Sequence, residues 1–384
     1  MPDIPDIQSR FGLRRSNFVL DPLSDEDADF FANRTGVEVS KIVDDLQIDL
    51  STGLPPKRMV WGPYGGGKTH TLQHTIKKLS ALTPVEPIYV ECPDLSKRST
   101  FLELYRDGIM RACGQDFIME LLEATRSQVG YASPDEILRR LRELLLDEEL
   151  AKAVSILTHA TDQNKLLLWS WISGVPVPRA SLLNLSQTQD LTEAEPARLA
   201  LYITVIGKLV RHFRGETLIL VLDEMDRIGF VGPDTIVQFR TAFTRLLDPN
   251  QKYISILLGL SAKNLQELPD IFGQGGPIVS RLGRDAIQQV PMLEDIDVEP
   301  FIEKIIGFLR DPDADLVALI SEARNATEEE VTENFFPFTQ EAIDAIKVSV
   351  GQDMTPREIT LKMTRSAGKA HNYDKPVITS DLID

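Results

Sequence analysis

A glycine-rich segment near the start of the chain limits what the rest can fold into. Residues 62–69 read GPYGGGKT and match the pattern G-x-x-x-x-G-K-[ST] in full. The apolar stretch RMVW at 58–61 predicts a strand before this segment, and TLQHTIKKLSAL at 71–82 predicts a helix after it. Strand, glycine-rich loop and helix in this order are typical of a phosphate-binding loop, in which backbone N–H groups and the helix dipole surround phosphate oxygens.

The residue types in this loop predict their own roles. Its glycines permit the tight turn, Lys68 is expected to contact the β- and γ-phosphates, and the Thr69 hydroxyl is expected to bind Mg²⁺. The predicted cofactors are therefore ATP and Mg²⁺, and the alternative is an ordinary glycine turn. The predicted nucleotide-binding residues are Gly62, Pro63, Tyr64, Gly65, Gly66, Gly67, Lys68, Thr69 and His70.

A pair of carboxylates follows an apolar strand about 155 residues later. The stretch 218–226 reads LILVLDEMD, which places Asp223 at the end of the strand and Glu224 directly after it. Asp223 is predicted to help hold Mg²⁺, and Glu224 is predicted to polarise a water that attacks the γ-phosphate. A solvated acidic loop is the alternative. With the phosphate loop upstream, the pair predicts ATP hydrolysis.

Polar and basic residues later in the chain are further catalytic candidates. The apolar strand 253–260 ends at Ser261, with Asn264 shortly after, and either side chain is a candidate to bridge the γ-phosphate and the attacking water. In SRLGR at 280–284, Arg281 or Arg284 is a candidate arginine finger for a neighbouring subunit. An ordinary strand-end turn and solvated arginines are the alternatives.

The sequence TPRE at 355–358 predicts the start of a helix. It is a capping box with proline at the first helical position, and it places Arg357 in the first helical turn. Such an arginine is a candidate to reach the phosphates of the nucleotide. A solvent-facing arginine is the alternative.

Strand-length apolar runs alternate with helical patterns along the chain. This alternation predicts an α/β fold, with a parallel sheet flanked by helices and an all-helical C-terminal lid. The predicted domains are an N-terminal helical segment at 1–57, an ATPase core at 58–290 with a helical insertion at about 116–214, and a helical lid at 291–384.

The charge balance limits the partners of the chain. It has 41 basic and 58 acidic residues, a net charge of −17, so long-range electrostatics oppose binding to nucleic acid or to an anionic membrane. Direct DNA contact is therefore expected to be weak and local. Lys208, Arg211 and Arg214 form one candidate patch, with capping of a helix C-terminus as the alternative. No apolar run approaches the length of a membrane span, and the N-terminus lacks a secretory pattern, so a cytoplasmic location is expected.

In their order along the chain, these motifs resemble those of AAA+ ATPases. Three stretches are most similar to the branch of origin-recognition and replication-initiation ATPases and transposition regulators: LDEMDRI at 222–228, YVECPDL at 89–95, and FPFTQEAIDAI at 336–346 with TPRE after it. The segment LWSWISG at 168–174 is also similar to ATP-binding proteins of BREX-type phage defence. GGGKTHTL resembles the kinesin phosphate loop, but the other kinesin motifs are absent from the sequence.

The resemblance implies an ATPase that acts as an oligomeric switch or remodelling factor in replication, transposition or phage defence. It implies a homo-oligomer or partner subunits, a trans-acting arginine before the helical domain, and no membrane. One alternative is a nucleotide-gated interaction or signalling switch with little or no turnover. A small-molecule kinase is a further alternative, but the predicted lid follows the core and does not interrupt it.

Overall fold

The computed structural model divides the chain into two compact units. One unit consists of residues 1–42, 62–77 and 289–384, and the other consists of residues 43–61 and 78–288. We call them the loop unit and the sheet unit, because the first contains the glycine-rich loop and the second contains most of the β-sheet. The structure describes residues 7–32, 35–37, 39–159, 161–187, 189–248, 250–273, 275–351 and 354–383.

The described residues form a five-stranded sheet whose strands follow the order β2-β3-β4-β1-β5. The strands are β1 (Lys57–Gly62), β2 (Val85–Glu91), β3 (Thr217–Asp223), β4 (Ile254–Ser261) and β5 (Ile287–Gln289). Strands β2 and β3 pair in parallel, as do β3 and β4. Six of the seven residues of β3 are buried, as expected for a strand covered on both faces. The short strand β5 was not predicted from the sequence.

Helices make up most of the remaining structure. They are α1 (Ile7–Phe11), α2 (Val39–Ser51), α3 (Lys68–Leu82), α4 (Phe101–Glu103), α5 (Arg111–Cys113), α6 (Gln115–Val129), α7 (Pro134–Leu145), α8 (Glu148–Ser155), α9 (Asp162–Ile172), α10 (Arg179–Leu182), α11 (Pro196–Arg214), α12 (Pro233–Leu246), α13 (Pro277–Leu282), α14 (Asp295–Leu309), α15 (Leu316–Ala326), α16 (Gln340–Val350) and α17 (Pro356–Asn372). The predicted α/β class, with its helical C-terminal part, is confirmed.

One predicted helix is two helices in the structure. The stretch 134–150, PDEILRRLRELLLDEEL, has apolar residues at helical spacing and predicts one continuous helix. In the structure, α7 ends at Leu145 because Leu146 adopts a left-handed conformation with φ of 58°. The carboxylate of Asp147 then caps α8 by accepting a hydrogen bond from the Leu150 N–H (2.8 Å). The amphipathic stripe continued across this break, so periodicity alone did not reveal it.

The core of the sheet unit joins the strands to the helices of the predicted insertion. Ten of the nineteen residues of α11 are buried, and the Tyr202 ring on this helix lies 6.1 Å from the Trp171 ring of α9. The Tyr105 hydroxyl donates to the Ile172 carbonyl (2.6 Å), which satisfies a polar group in this core. The insertion is thus part of the hydrophobic core of the sheet unit.

The core of the loop unit joins the N-terminal segment to the C-terminal helices. Phe11 and Phe18 are fully buried in one cluster with Ile302 of α14 and Ile343 of α16. The Phe18 N–H donates to the Thr364 hydroxyl of α17 (3.0 Å). Within the described ranges, no helix combines the length and apolarity needed to cross a bilayer.

Candidate functional site

The glycine-rich loop contains two glycines in the left-handed conformation. It leaves β1 at Gly62 and enters α3 at Lys68. Gly65 and Gly67 have φ values of +72° and +86°, which favour glycine, and the Gly66 N–H donates to the Pro63 carbonyl (3.1 Å). Left-handed residues alternating with right-handed ones turn consecutive N–H groups toward one side, where they can bind an anion. Gly65 and Gly67 thus adopt positive φ values, while phosphate binding by the loop stays a prediction.

Lys68 folds back onto this loop. Its side chain is 7% exposed, and its ammonium group donates to the Pro63 carbonyl (2.9 Å). Thr69 follows it in the first turn of α3. The structure thus brings the predicted lysine to the loop, inside the same unit.

His70, by contrast, contacts the N-terminal segment. Its Nε2 lies 2.5 Å from the Phe30 carbonyl oxygen, and its ring packs edge-on against the Phe30 ring. One turn later, His74 Nδ1 lies 2.9 Å from the Ala28 carbonyl oxygen. The side chain of His70 therefore helps join α3 to the N-terminal segment, while its predicted contact with nucleotide stays a prediction.

The predicted carboxylate pair lies at the end of β3 in the sheet unit. Asp223 is 1% exposed, and its carboxylate accepts hydrogen bonds from the Tyr89 hydroxyl (3.1 Å) and the Glu224 N–H (2.9 Å). Burial and the Asp223 charge raise the pKa of Tyr89 above its usual value, so this hydroxyl remains a donor. Asp223 is thus held in one orientation.

Glu224 has an unusual backbone and an unpredicted partner. Its φ of 55° is left-handed, a conformation that is uncommon for residues other than glycine and that often occurs at functional sites. Its carboxylate forms an ion pair with Arg227, three residues later. Burial raises the pKa of Glu224, and the Arg227 charge acts in the opposite direction.

Arg227 is a site residue that the sequence analysis missed. Besides Glu224, its guanidinium contacts Glu91 (3.1 Å), lies 3.5 Å from Asp94, and donates to the Cys92 carbonyl. The detectable signal was the spacing D-E-x-x-R, because residues three apart share a face in a helical turn. Arg227 therefore links the ends of β2 and β3 beside the proposed base.

Ser261 and Asn264 follow β4 in the same unit. The Ser261 N–H donates to the Asp226 carboxylate (2.7 Å), which ties the end of β4 to the turn after β3. The Asn264 amide donates to Glu267 (2.9 Å), and its carbonyl oxygen accepts from the Gln266 N–H (2.9 Å). The structure therefore brings Ser261 to the segment that carries Glu224, whereas the amide of Asn264 is used within its own turn.

The two candidate finger arginines follow β4 farther along. Arg281 is exposed on α13. Burial lowers the pKa of Lys57 to about 8; the Asp248 charge opposes this shift, and the Arg281 charge adds to it. Arg284 begins a short 3₁₀ segment, Arg284–Ala286, just before β5. Their predicted catalytic role stays a prediction.

Arg357 lies at the glycine-rich loop, within the loop unit. Its guanidinium donates to the Tyr64 hydroxyl (2.8 Å) and lies over the Tyr64 ring, with 5.1 Å between Cζ and the ring centroid. The Thr355 hydroxyl accepts from the Glu358 N–H (3.2 Å), which is the N-cap half of the predicted capping box at the start of α17. Sequence reasoning identified Arg357 and Tyr64 separately but not their contact.

The candidate basic patch is occupied by contacts inside the sheet unit. Lys208 donates to the Glu143 carbonyl (2.7 Å), and Arg214 pairs with Glu86 (2.8 Å) and Glu120 (3.0 Å). These contacts reduce the positive charge available to a phosphate backbone.

The chain was compared with known proteins in three ways. A scan against protein-family models and a search of curated proteins found no match. The Aeropyrum pernix ORC1 protein in complex with DNA is similar at 14% identity and a TM-score of 0.48, over 97% of this chain and 68% of that chain. Drosophila ORC bound to DNA is similar at 12% identity and a TM-score of 0.45, over 100% of this chain and 67% of that chain.

Further solved structures are also similar to the chain. CDC6P from Pyrobaculum aerophilum matches at 14% identity and a TM-score of 0.38, over 92% of this chain and 68% of that chain. A Walker-type ATPase of Pyrococcus abyssi matches at 14% identity and a TM-score of 0.39, over 93% of this chain and 75% of that chain. The similarity to BREX-type proteins stays a prediction. These solved structures, to which the chain is similar, include ORC and Cdc6 proteins.

Proposed function

We propose that this chain is an AAA+ ATPase that binds ATP with Mg²⁺, hydrolyses it to ADP and phosphate, and acts as an oligomeric switch or remodelling factor in a DNA-related process. The observation that carries the proposal is the loop at 62–69, with two left-handed glycines and with Lys68 folded onto it. A polyanion such as a triphosphate suits this loop, because both the lysine and the N-terminus of α3 supply positive charge there.

The residues present suit the proposed ligands. In the loop unit, loop N–H groups and Lys68 would hold the phosphates, and the Thr69 hydroxyl is the proposed oxygen ligand for Mg²⁺. In the sheet unit, the proposed oxygen ligand for Mg²⁺ is the Asp223 carboxylate. When bound, Mg²⁺ neutralises phosphate charge. Asp223 suits this role because two hydrogen bonds fix its carboxylate.

Glu224 is the proposed general base. Its carboxylate would accept a proton from the attacking water, and its partial burial keeps the group more basic than an exposed glutamate. Ser261 is a second polar group on the same side of the sheet unit, tied to the turn after β3. Asn264, Arg281, Arg284 and Arg357 are the remaining proposed catalytic contributors.

Two substitutions test binding and turnover separately. Lys68→Ala should abolish tight ATP·Mg²⁺ binding, whereas Lys78→Ala, an exposed lysine on the same helix, should leave it unchanged. Glu224→Gln should still bind ATP but lose most hydrolysis, because an amide fills the same space without accepting the proton. Phosphate release and equilibrium binding are the measurements. A folded Lys68→Ala protein with unchanged affinity would contradict the proposal.

The oligomeric part of the proposal concerns Arg281 and Arg284. An arginine that acts across a subunit interface contributes about 10³ to 10⁵ in rate in other phosphoryl-transfer proteins. Mixing Glu224→Gln subunits with Arg281→Ala or Arg284→Ala subunits should give more activity than either parent, because an intact base and an intact arginine then meet at mixed interfaces. Full activity of both arginine variants alone, or of a strict monomer, would exclude this role.

One contact favours a second candidate function, a nucleotide-gated switch with little turnover. The ion pair between Glu224 and Arg227 occupies the carboxylate that hydrolysis needs. Hydrolysis measured with and without double-stranded DNA, alongside the mass of the protein with and without nucleotide, distinguishes the two functions. ATP retained without phosphate release under every condition would favour the switch.

A further inference from the structure

Tyr64, in the glycine-rich loop, contacts the guanidinium of Arg357 through its ring. Tyr64 is 68% exposed, so the hydrophobic core does not account for its position. The Arg357 guanidinium lies over the ring and also donates to its hydroxyl (2.8 Å). A cation over an aromatic face combined with a hydrogen bond to the same side chain fixes the guanidinium in both distance and orientation.

The backbone of Arg357 is held on the same loop. The Arg357 N–H points at the Gly65 carbonyl, with 3.5 Å between nitrogen and oxygen. A Cβ at Gly65 would lie 3.1 Å from the Cβ of Arg357 and 3.3 Å from the Thr355 hydroxyl, so α17 approaches the loop as closely as a glycine permits. The position of Arg357 is thus set by the loop itself.

The geometry of the guanidinium shows that this contact leaves it able to bind phosphate. The group carries five N–H donors, and its attraction to the ring comes from its positive charge. The bond to the Tyr64 hydroxyl uses one donor on Nη1, so others remain available at the edge of the group. The contact with Tyr64 therefore orients Arg357 and leaves it donors for a phosphate.

We propose that Tyr64 is a positioning residue that holds Arg357 at the phosphate loop before nucleotide arrives. This inference rests on the proposed binding of ATP by the same loop. A free arginine side chain gives up considerable rotamer entropy when a ligand immobilises it. Because Tyr64 has already restricted Arg357, less entropy is lost on binding, and ATP binds more tightly.

A double-mutant cycle on the full chain tests this role. The affinity for a fluorescent ATP analogue with Mg²⁺ is measured for wild type, Tyr64→Ala, Arg357→Ala and the double variant. An exposed cation–π contact plus a hydrogen bond predict a loss of about threefold to tenfold for Tyr64→Ala. In the Arg357→Ala background the same change should have almost no effect. Tyr64→Phe, which keeps the ring, should recover part of the loss.

Tyr373→Ala is the matched control, because Tyr373 is 67% exposed in the same unit and should not affect the affinity. Three results would overturn the positioning role while ATP binding stands. They are an equal loss of affinity from Tyr64→Ala with and without Arg357, tighter ATP binding by Tyr64→Ala, and no loss of affinity in Arg357→Ala. Wild-type protein that binds no ATP would overturn the proposed function and this inference with it. Circular dichroism confirms that each variant is folded.

Discussion

The close approach of α17 to the glycine-rich loop can be tested at Gly65. The change Gly65→Ala adds one methyl group at a position with φ of +72°. The new Cβ would lie 3.1 Å from the Cβ of Arg357 and 3.3 Å from the Thr355 hydroxyl. Both distances are shorter than ordinary van der Waals contact, so either the loop or the start of α17 must move.

Gly351→Ala separates the steric effect from the backbone effect. Gly351 lies in the same unit with φ of +59°, and in the described ranges the nearest atom to a new Cβ, the Val348 carbonyl oxygen, is 4.0 Å away. A left-handed φ costs a residue with a Cβ about 1 to 2 kcal/mol, and this applies at both sites. Crowding at a packed contact costs about 1 to 3 kcal/mol more, and this applies at Gly65 alone.

The assay is equilibrium urea unfolding of both variants, followed by circular dichroism. Gly65→Ala should lower the free energy of unfolding by about 1 to 3 kcal/mol more than Gly351→Ala does. It should also weaken ATP binding, which Gly351→Ala should leave unchanged. If the two variants lose the same stability and Gly65→Ala binds ATP as wild type does, then α17 does not pack on the loop as closely as the structure shows.

Two further predictions follow from the sheet unit. The Arg227 charge counteracts the raised pKa of Glu224, so Arg227→Ala should raise that pKa further. The acid limb of the pH profile of kcat/KM should then move to higher pH. An unmoved limb would show that Glu224 is not the titrating base. Burial raises the pKa of Cys92 and of Cys113 to about 12 each. Native protein should therefore react with a thiol reagent near pH 8 far more slowly than urea-unfolded protein does. Fast labelling of the native protein would contradict this burial.

Local patterns were enough to predict the elements that carry most of the site. The sequence GPYGGGKT determines a loop conformation because glycine is the residue that readily adopts positive φ, as Gly65 and Gly67 do. The apolar runs before Asp223 and Ser261 predicted buried strands, and β3 and β4 end at those residues. In each case a few neighbouring residues contain the information.

Contacts between distant segments were not readable in this way. The sequence gives no local reason for Phe11 and Phe18 to pack with α14 and α16, because short apolar stretches suit many surfaces equally well. Arg227 was missed for another reason. A charged residue after a strand is usually solvated. The ion pair between Arg227 and Glu91 depends on the neighbouring strand β2, which a local pattern does not reveal.

The contact between Tyr64 and Arg357 joins residues 293 positions apart and makes the loop and α17 depend on each other. Any ligand that orders the loop must then favour the packed position of α17, and by thermodynamic reciprocity any partner that moves α17 must change the affinity of the loop for that ligand. The side chain and the backbone of Arg357 both contact the loop, so such a partner would have to break both contacts. Helix α17 is therefore one element of the loop unit through which a bound protein could control the proposed nucleotide binding.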